Sequence, residues 1–274
     1  MRPILLQVGS YVVYSHALFV ALGIVVALIT TWRLAAFAGR ADQDLLIIVA
    51  GGLVGAAVLA RYGLVFRYLS QAHDPSLRGF LDYGGKSLLA GLAGAYAEVV
   101  ITKRIIGYRR HTGDLLIPGA ALGIAIGRIG CFLAERPGTV TTLPWGVRVS
   151  RDAAARIADC PACASGAAMH PSFLYEAAFL GVAAWVLFRI AERRTLPVAW
   201  MSEGDIFKAF LLAYGIFRFF VEFVRGSPVM ALGLSGSQLT VLPGVAALLV
   251  YFVRRRNASR VALGHSPRLT TDAT

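Results

Sequence analysis

The sequence predicts an all-α, polytopic membrane protein with about seven transmembrane helices, its N-terminus outside and its C-terminus in the cytoplasm. Three observations carry this. Of 274 residues 57% are hydrophobic and only 15% charged, more apolar surface than one soluble core can hide. The apolar residues fall into runs close to the ~20 residues that cross a bilayer. The basic residues cluster in alternate connections, as cytoplasmic loops do.

The first run is Tyr11–Thr31. It exceeds the roughly 7–15-residue core of a signal peptide, and no small-residue cleavage site closes it before Trp32-Arg33, so it reads as a retained helix. Leu45–Phe66 and Ser87–Thr102 follow, then Leu115–Phe132, which holds Arg128. Phe173–Ile190, Ile206–Val224 and Leu239–Val253 complete the set. The runs from Ser87 and Leu239 are short and must borrow flanking residues to reach both interfaces. The whole of 1–274 reads as one integral membrane domain, with 133–170 as an extracytoplasmic loop and 254–274 as a basic cytoplasmic tail.

Charge fits that orientation. Lys103, Arg104, Arg109, Arg110, Arg189, Arg193, Arg194 and the Arg254-Arg255-Arg256 cluster with Arg260 and Arg268 fall inside; sparser basic residues, among them Arg67, Arg78, Lys86 and Arg156, fall outside. A formal net charge of +12 therefore reads as topology plus attraction to anionic lipid headgroups, and not as a nucleic-acid surface. In the 133–170 loop, Cys160-Pro161-Ala162-Cys163 is a local disulfide or a reduced redox pair in an oxidising compartment. No second pair or suitably spaced histidines make it a metal site. No metal or other cofactor is expected.

An arginine near the middle of a spanning helix costs roughly 2.5–3.5 kcal/mol on insertion scales and marks a functional site, with an anionic partner to be found. Arg128 lies in Gly127-Arg128-Ile129-Gly130-Cys131. In the sixth run Tyr214, Arg218, Glu222 and Arg225 follow spacings of four, four and three, which put them on one helix face. Such a stripe is either a self-neutralising ladder that locks helices or the wall of an anion site. The excess of arginine over glutamate, with Arg128 included, leaves a positive remainder that suits a phosphate, which guanidinium groups bind through paired donors. At the same depth lie His16, Glu135 and His170. Gly123, Gly127 and Gly130 beside Arg128 allow close helix approach.

Four motifs in order, Gly127-Arg128-Ile129-Gly130, Glu135-Arg136-Pro137-Gly138, His170-Pro171-Ser172-Phe173-Leu174-Tyr175-Glu176 and Tyr214 to Arg225, resemble the prolipoprotein diacylglyceryl transferases of bacteria. Gly84-Gly85-Lys86-Ser87 before the third helix and Ser237-Gln238-Leu239 at the seventh extend the resemblance over nearly the whole chain. It implies an inner-membrane enzyme that transfers the diacylglyceryl group of phosphatidylglycerol to the lipobox cysteine of a prolipoprotein, forming a thioether and releasing glycerol phosphate. Carried over by motif, it implies roles for Arg128, Glu135, Gly138, Arg218 and Glu222; Glu135 and Gly138 match after a one-residue deletion following Phe132. Arg128, Arg218, Glu135, His16 and His170 are then the catalytic candidates. Gly138, Glu222, Arg225 and Tyr214 are the substrate-binding ones.

Three positions depart from the family. Its histidine before the third helix, the proposed base, is replaced in Leu89-Ala90-Gly91; the asparagine after Gly-Arg-x-Gly is Cys131; the tyrosine near the start of the first helix is His16. Either another group takes the thiol proton, His16 first, His170 second, or Glu222 if desolvation raises its pKa, or the chain is a non-catalytic phospholipid-binding paralogue or a transferase with another acceptor. A transporter would show matching broken helices in symmetric halves, and none is visible. A phosphatidyltransferase built on metal-bound aspartates is disfavoured by a chain with 15 acidic residues and no aspartate cluster at a helix end.

Overall fold

The computed structural model describes residues 2–9, 11–62, 88–155, 157, 160–193, 198 and 200–264. Arg67, Arg78, Gly84-Gly85-Lys86-Ser87, Arg156, Arg268 and the end of the basic tail lie outside the described residues, as do the side chains of Leu89 and Arg260. The chain divides into two compact units, 1–34 with 112–274, and 35–111.

The first unit opens with a hairpin where the apolar pattern suggests the start of a helix. Strand β1 (Ile4–Val8) pairs antiparallel with β2 (Tyr11–Tyr14), Ile4 opposite Tyr14. Gly9 turns the chain at φ +59°, a conformation that costs glycine nothing, and β-branched Val12-Val13 suit a strand. Helix α1 (Ser15–Phe37) starts at fully buried Ser15, whose N–H donates to Pro3 O at 3.0 Å and whose hydroxyl donates to Arg2 O. The expected helix start at Tyr11 is therefore corrected to Ser15, because residues 11–14 pair in extended form with β1.

The second unit holds α2 (Gln43–Tyr62) packed on α3 (Leu88–Ile105). Asp42 caps the start of α2 by accepting from the Leu45 N–H at 2.8 Å, satisfying one of the orphan donors there. A Cβ at Gly55 would strike Gly94 O and Glu98, so these two helices touch backbone to backbone, as small residues permit. Arg40 closes the unit by donating to His111 O at 2.7 Å and Tyr108 Oη at 3.1 Å.

In the first unit, α4 (Gly113–Ala134) packs on α7 (Ser172–Arg193), and α8 (Asp205–Arg225) packs on α4, α7 and α9 (Gly236–Gly264). Helix α1 meets α4 through its own close approach: a Cβ at Gly123 would lie 2.6 Å from Gly23 O. Carboxylates tie the helix ends on the Asp114 side. Asp114 accepts from Gly204 N at 2.6 Å and Phe207 N at 2.8 Å. Fully buried Asp205 meets Tyr251 Oη at 2.6 Å, with Lys208 and Arg255 Nε each at 2.9 Å. A second hairpin, β3 (Val229–Ala231) with β4 (Leu234–Ser235), joins α8 to α9. The two hairpins correct the purely helical expectation.

The 133–170 loop is folded. Short helices α5 (Arg151–Ala154) and α6 (Pro161–Ala164) enclose a small core of Val149, Ala153, Ile157, Cys163 and Met169. Of the two readings of Cys160 and Cys163, the structure carries the disulfide.

Among the described residues five helices, Ser15–Phe37, Gln43–Arg61, Gly113–Ala134, Ser172–Arg193 and Gly236–Ser259, are long and apolar enough to cross a membrane. The chain is a multi-pass membrane protein. Helices α3 and α8 are of similar length but more charged: α3 carries Glu98, Lys103 and Arg104, and α8 carries Asp205, Lys208, Arg218, Glu222 and Arg225.

Candidate functional site

The site is built around Glu176. Helix α7 begins just after His170-Pro171, and one turn in, its carboxylate is wholly buried. Burying a carboxylate costs several kcal/mol unless ion pairs and hydrogen bonds replace its water. Three groups do so: Arg128 Nη2 of α4 at 2.8 Å, the Tyr214 hydroxyl of α8, which donates at 2.6 Å, and Arg225 Nη1 of α8 at 3.4 Å. Phe173, one turn before Glu176 on the same face, lies under both cations, its ring centroid 4.4 Å from Arg225 Cζ and 5.7 Å from Arg128 Cζ. An aromatic face attracts a guanidinium most strongly when water is excluded.

The α8 stripe is thereby divided. Tyr214 and Arg225 turn to α7, while Arg218 pairs with Glu222 within the helix at 2.5 Å. That pair is held from outside α8. Ser235 Oγ donates to Glu222 Oε1 at 3.2 Å, and Gln238 donates to Phe219 O at 3.1 Å while accepting from Ser235 N at 2.9 Å. Arg218 also contributes to the field at Glu176. Among the described residues these ion pairs set three guanidinium groups against two carboxylates. The buried Arg128 Nε has no hydrogen-bond partner among them, which leaves one donor free for a ligand.

Arg128 and Cys131 share a face of α4 at a spacing of three, and Glu135, the extended residue that caps the helix, continues this line away from Glu176. Arg128 Nη1 stands 3.9 Å from Cys131 Sγ. Beyond it, His16 Nε2 of α1 lies 3.7 Å from Glu135 Oε1. Gly130 makes the meeting possible, since a Cβ there would lie 2.7 Å from Phe19 Cβ and 3.2 Å from His16 Cα. Donor atoms of His16, Cys131 and Glu135 all fall within 4.8 Å of one another. Cys131 is buried, His16 half-buried and Glu135 exposed.

His170 and Gly138 sit in the frame around the site. His170 Nδ1 is 3.2 Å from Tyr175 Oη, which also accepts from Trp145 Nε1 at 2.8 Å. The backbone zips across: Gly138 N donates to His170 O at 2.8 Å, His170 N to Thr139 O at 2.9 Å and Thr139 N to Val224 O at 2.8 Å. A Cβ at Gly138 would collide with Val224 O and lie 3.0 Å from His170 O. This seam holds the ends of α4, α7 and α8 together.

Sequence reasoning gathered His16, Arg128, Glu135, His170, Arg218, Glu222 and Arg225 at one end of the helices and put Tyr214 on the face of Arg218; the structure brings these residues into the groups just described. It missed Glu176 as the shared anion. The available signal was a single carboxylate in the first turns of an otherwise apolar run, against unpaired arginines elsewhere. It also missed Cys131 as the neighbour of His16.

A family model described as prolipoprotein diacylglyceryl transferase matches residues 3–254. Among curated proteins, the chain is 32% identical over 268 residues to a protein of Gloeobacter violaceus, covering 95% of this chain and 96% of that one. It is 33% identical to one of Azotobacter vinelandii, covering 92% and 95%, and 30% identical to one of Methylococcus capsulatus, covering 92% and 96%. All three are named phosphatidylglycerol–prolipoprotein diacylglyceryl transferase.

Proposed function

The chain belongs to the prolipoprotein diacylglyceryl transferase family, and from that premise we propose that it transfers the diacylglyceryl group of phosphatidylglycerol to the lipobox cysteine of a prolipoprotein, forming a thioether and releasing glycerol phosphate. The observation that carries the reading is the buried excess of guanidinium over carboxylate around Glu176. A phosphodiester brings one negative charge into this site and leaves as a phosphate monoester with nearly two. Cations fixed in advance stabilise that growing charge most effectively where water is excluded.

Arg128 and Arg218 hold the phosphate, with Arg225 as a further contact. Glu176 and Glu222 keep the guanidinium groups oriented, and Tyr214 steadies Glu176 through its hydroxyl. A free thiol with pKa ~8.5 is only a few per cent thiolate at neutral pH, so the acceptor must lose its proton on the enzyme. We place that event at the outer end of the α4 face, beside His16 and Glu135. The thiolate sulfur then attacks the glyceryl carbon attached to phosphate, the C–O bond breaks, and glycerol phosphate departs toward the arginines. His170 and Gly138 serve by holding the seam.

In this reading 1–274 is one membrane domain with seven spanning helices, N-terminus outside, the 133–170 loop at the outer face of the bacterial inner membrane and the basic tail in the cytoplasm. Leu89 at the family's histidine position favours a second reading, a paralogue that binds phospholipid without turnover or uses another acceptor. The test is transfer from labelled phosphatidylglycerol to a synthetic lipobox peptide by the purified protein, with Arg128→Ala beside it. Thioether product that vanishes in the variant supports the transferase. Bound phosphatidylglycerol without product supports the second reading.

A further inference from the structure

We propose that His16, Cys131 and Glu135 form a zinc site whose open fourth position takes the acceptor cysteine's thiol and holds it as thiolate for attack on the diacylglyceryl carbon. The inference deepens the transferase reading and rests on it for the identity of the thiol.

The argument starts from the donors. Imidazole, thiolate and carboxylate converge from α1, from the last turn of α4 and from the residue that caps it, with their donor atoms within 4.8 Å of one another. In a tetrahedral zinc site with bonds of about 2.0–2.3 Å, neighbouring ligand atoms sit roughly 3.3–3.8 Å apart. His16 Nε2 and Glu135 Oε1 already stand at 3.7 Å. Contracting the trio from within 4.8 Å to that spacing asks for shifts of about an ångström. Mixed sulfur, nitrogen and oxygen ligands suit zinc and disfavour magnesium or calcium, which take oxygen alone.

Three protein ligands with a fourth position open is the arrangement of catalytic zinc, whereas structural sites close all four. The fourth position has a route in, since the His16 and Glu135 side chains keep 34% and 46% of their surface exposed while Cys131 is buried beneath them. Charge also balances. Thiolate and carboxylate cancel a dication, which limits the cost of placing an ion at the membrane boundary. A second thiolate, the substrate's, then leaves the site one negative charge beside Arg128.

The reaction needs such a device. A coordinating thiol is deprotonated outright, so the acceptor's S–H proton passes to water at the exposed rim as the sulfur binds the metal. The sulfur lone pair forms the C–S bond, the C–O bond to phosphate breaks with its electron pair on oxygen, and glycerol phosphate leaves. The metal is neither oxidised nor reduced. No general base is consumed, which accounts for a chain with leucine at position 89 where the family has histidine. The two further departures, His16 and Cys131, are themselves ligands.

The test is metal content and cobalt spectroscopy on the full-length protein in detergent. Wild type should retain about one zinc per chain, as a three-ligand site does. Cys131→Ser and His16→Asn should each weaken zinc binding by at least about a hundredfold, beyond the ~10–100-fold lost with an outer-shell partner. Cobalt(II) in place of zinc should show a thiolate-to-metal band that strengthens with a cysteine lipobox peptide and not with its serine analogue. Arg218→Ala should keep the metal and its spectrum while losing transfer, which also shows that lost transfer alone does not displace the ion. Full zinc occupancy in both Cys131→Ser and His16→Asn, or wild-type transfer by chelator-stripped protein, overturns the site and leaves the transferase standing. Zinc and a peptide-responsive cobalt spectrum without any diacylglyceryl transfer support the site and overturn the transferase.

Discussion

Arg128 of α4 and Glu176 of α7 meet at 2.8 Å with both side chains buried, and this pair links the helix that leads to His16 with the helix that Tyr214 and Arg225 grip. Removing one partner of a buried pair strands the other and costs about 3–5 kcal/mol, whereas the intact pair adds little net stability. Its value is orientation. Glu176→Ala should therefore lower stability by about 3–5 kcal/mol and abolish transfer, while Glu176→Gln should fold better and still fail to transfer. Thermal unfolding in detergent, run beside the transfer assay, reads both; wild-type transfer by Glu176→Gln would remove the carboxylate from the mechanism.

Arg218 distinguishes charge from geometry. Lysine keeps the charge but offers no planar fork of donors. Arg218→Lys should reach the membrane in normal amount and lose most transfer, with Arg218→Ala losing all of it. Full activity with lysine would mean that a point charge suffices for the phosphate.

Gly138 carries a steric prediction. A methyl group there collides with Val224 O and crowds His170, and overpacking of this kind costs about 1–3 kcal/mol. Gly138→Ala should open the seam between the 133–170 loop and α8, reducing both melting temperature and transfer. A variant of wild-type stability with no transfer would instead put Gly138 against substrate.

The Cys160–Cys163 disulfide lies in a loop with its own core of Val149, Ala153, Ile157 and Met169. It joins residues close in sequence, where a cross-link removes little chain entropy. Serine at both positions should leave transfer near wild type, and a large loss would assign the loop a direct part in acceptor binding.

Orientation is open to a reporter test. With the N-terminus outside and the tail inside, a periplasmic enzyme reporter should be active when inserted in the 133–170 loop and silent when fused after residue 264. The opposite pattern would reverse the side on which the arginine site opens.

What the sequence by itself determined is which segments form apolar helices and which face of α8 is polar. Apolar runs close to bilayer length specify helices because lipid leaves backbone groups no other partner, and the periodicity of Tyr214, Arg218, Glu222 and Arg225 specifies a single polar face on α8. Both are local properties, and so is the identity of Arg128 as an expensive residue that demands an anion. Only tertiary structure decided which anion: the packing of α4, α7 and α8 brings Glu176 rather than a neighbour in sequence to Arg128 and divides the α8 stripe between two carboxylates. The close approach of α1 and α4, set by Gly23, Gly123 and Gly130, brings His16 to Cys131 and Glu135, a meeting that no spacing within one helix encodes. The N-terminal hairpin escaped the hydropathy pattern for a related reason. Apolar residues at Tyr11 to Tyr14 suit strand and helix alike, and the ladder to Ile4–Val8 decides between them.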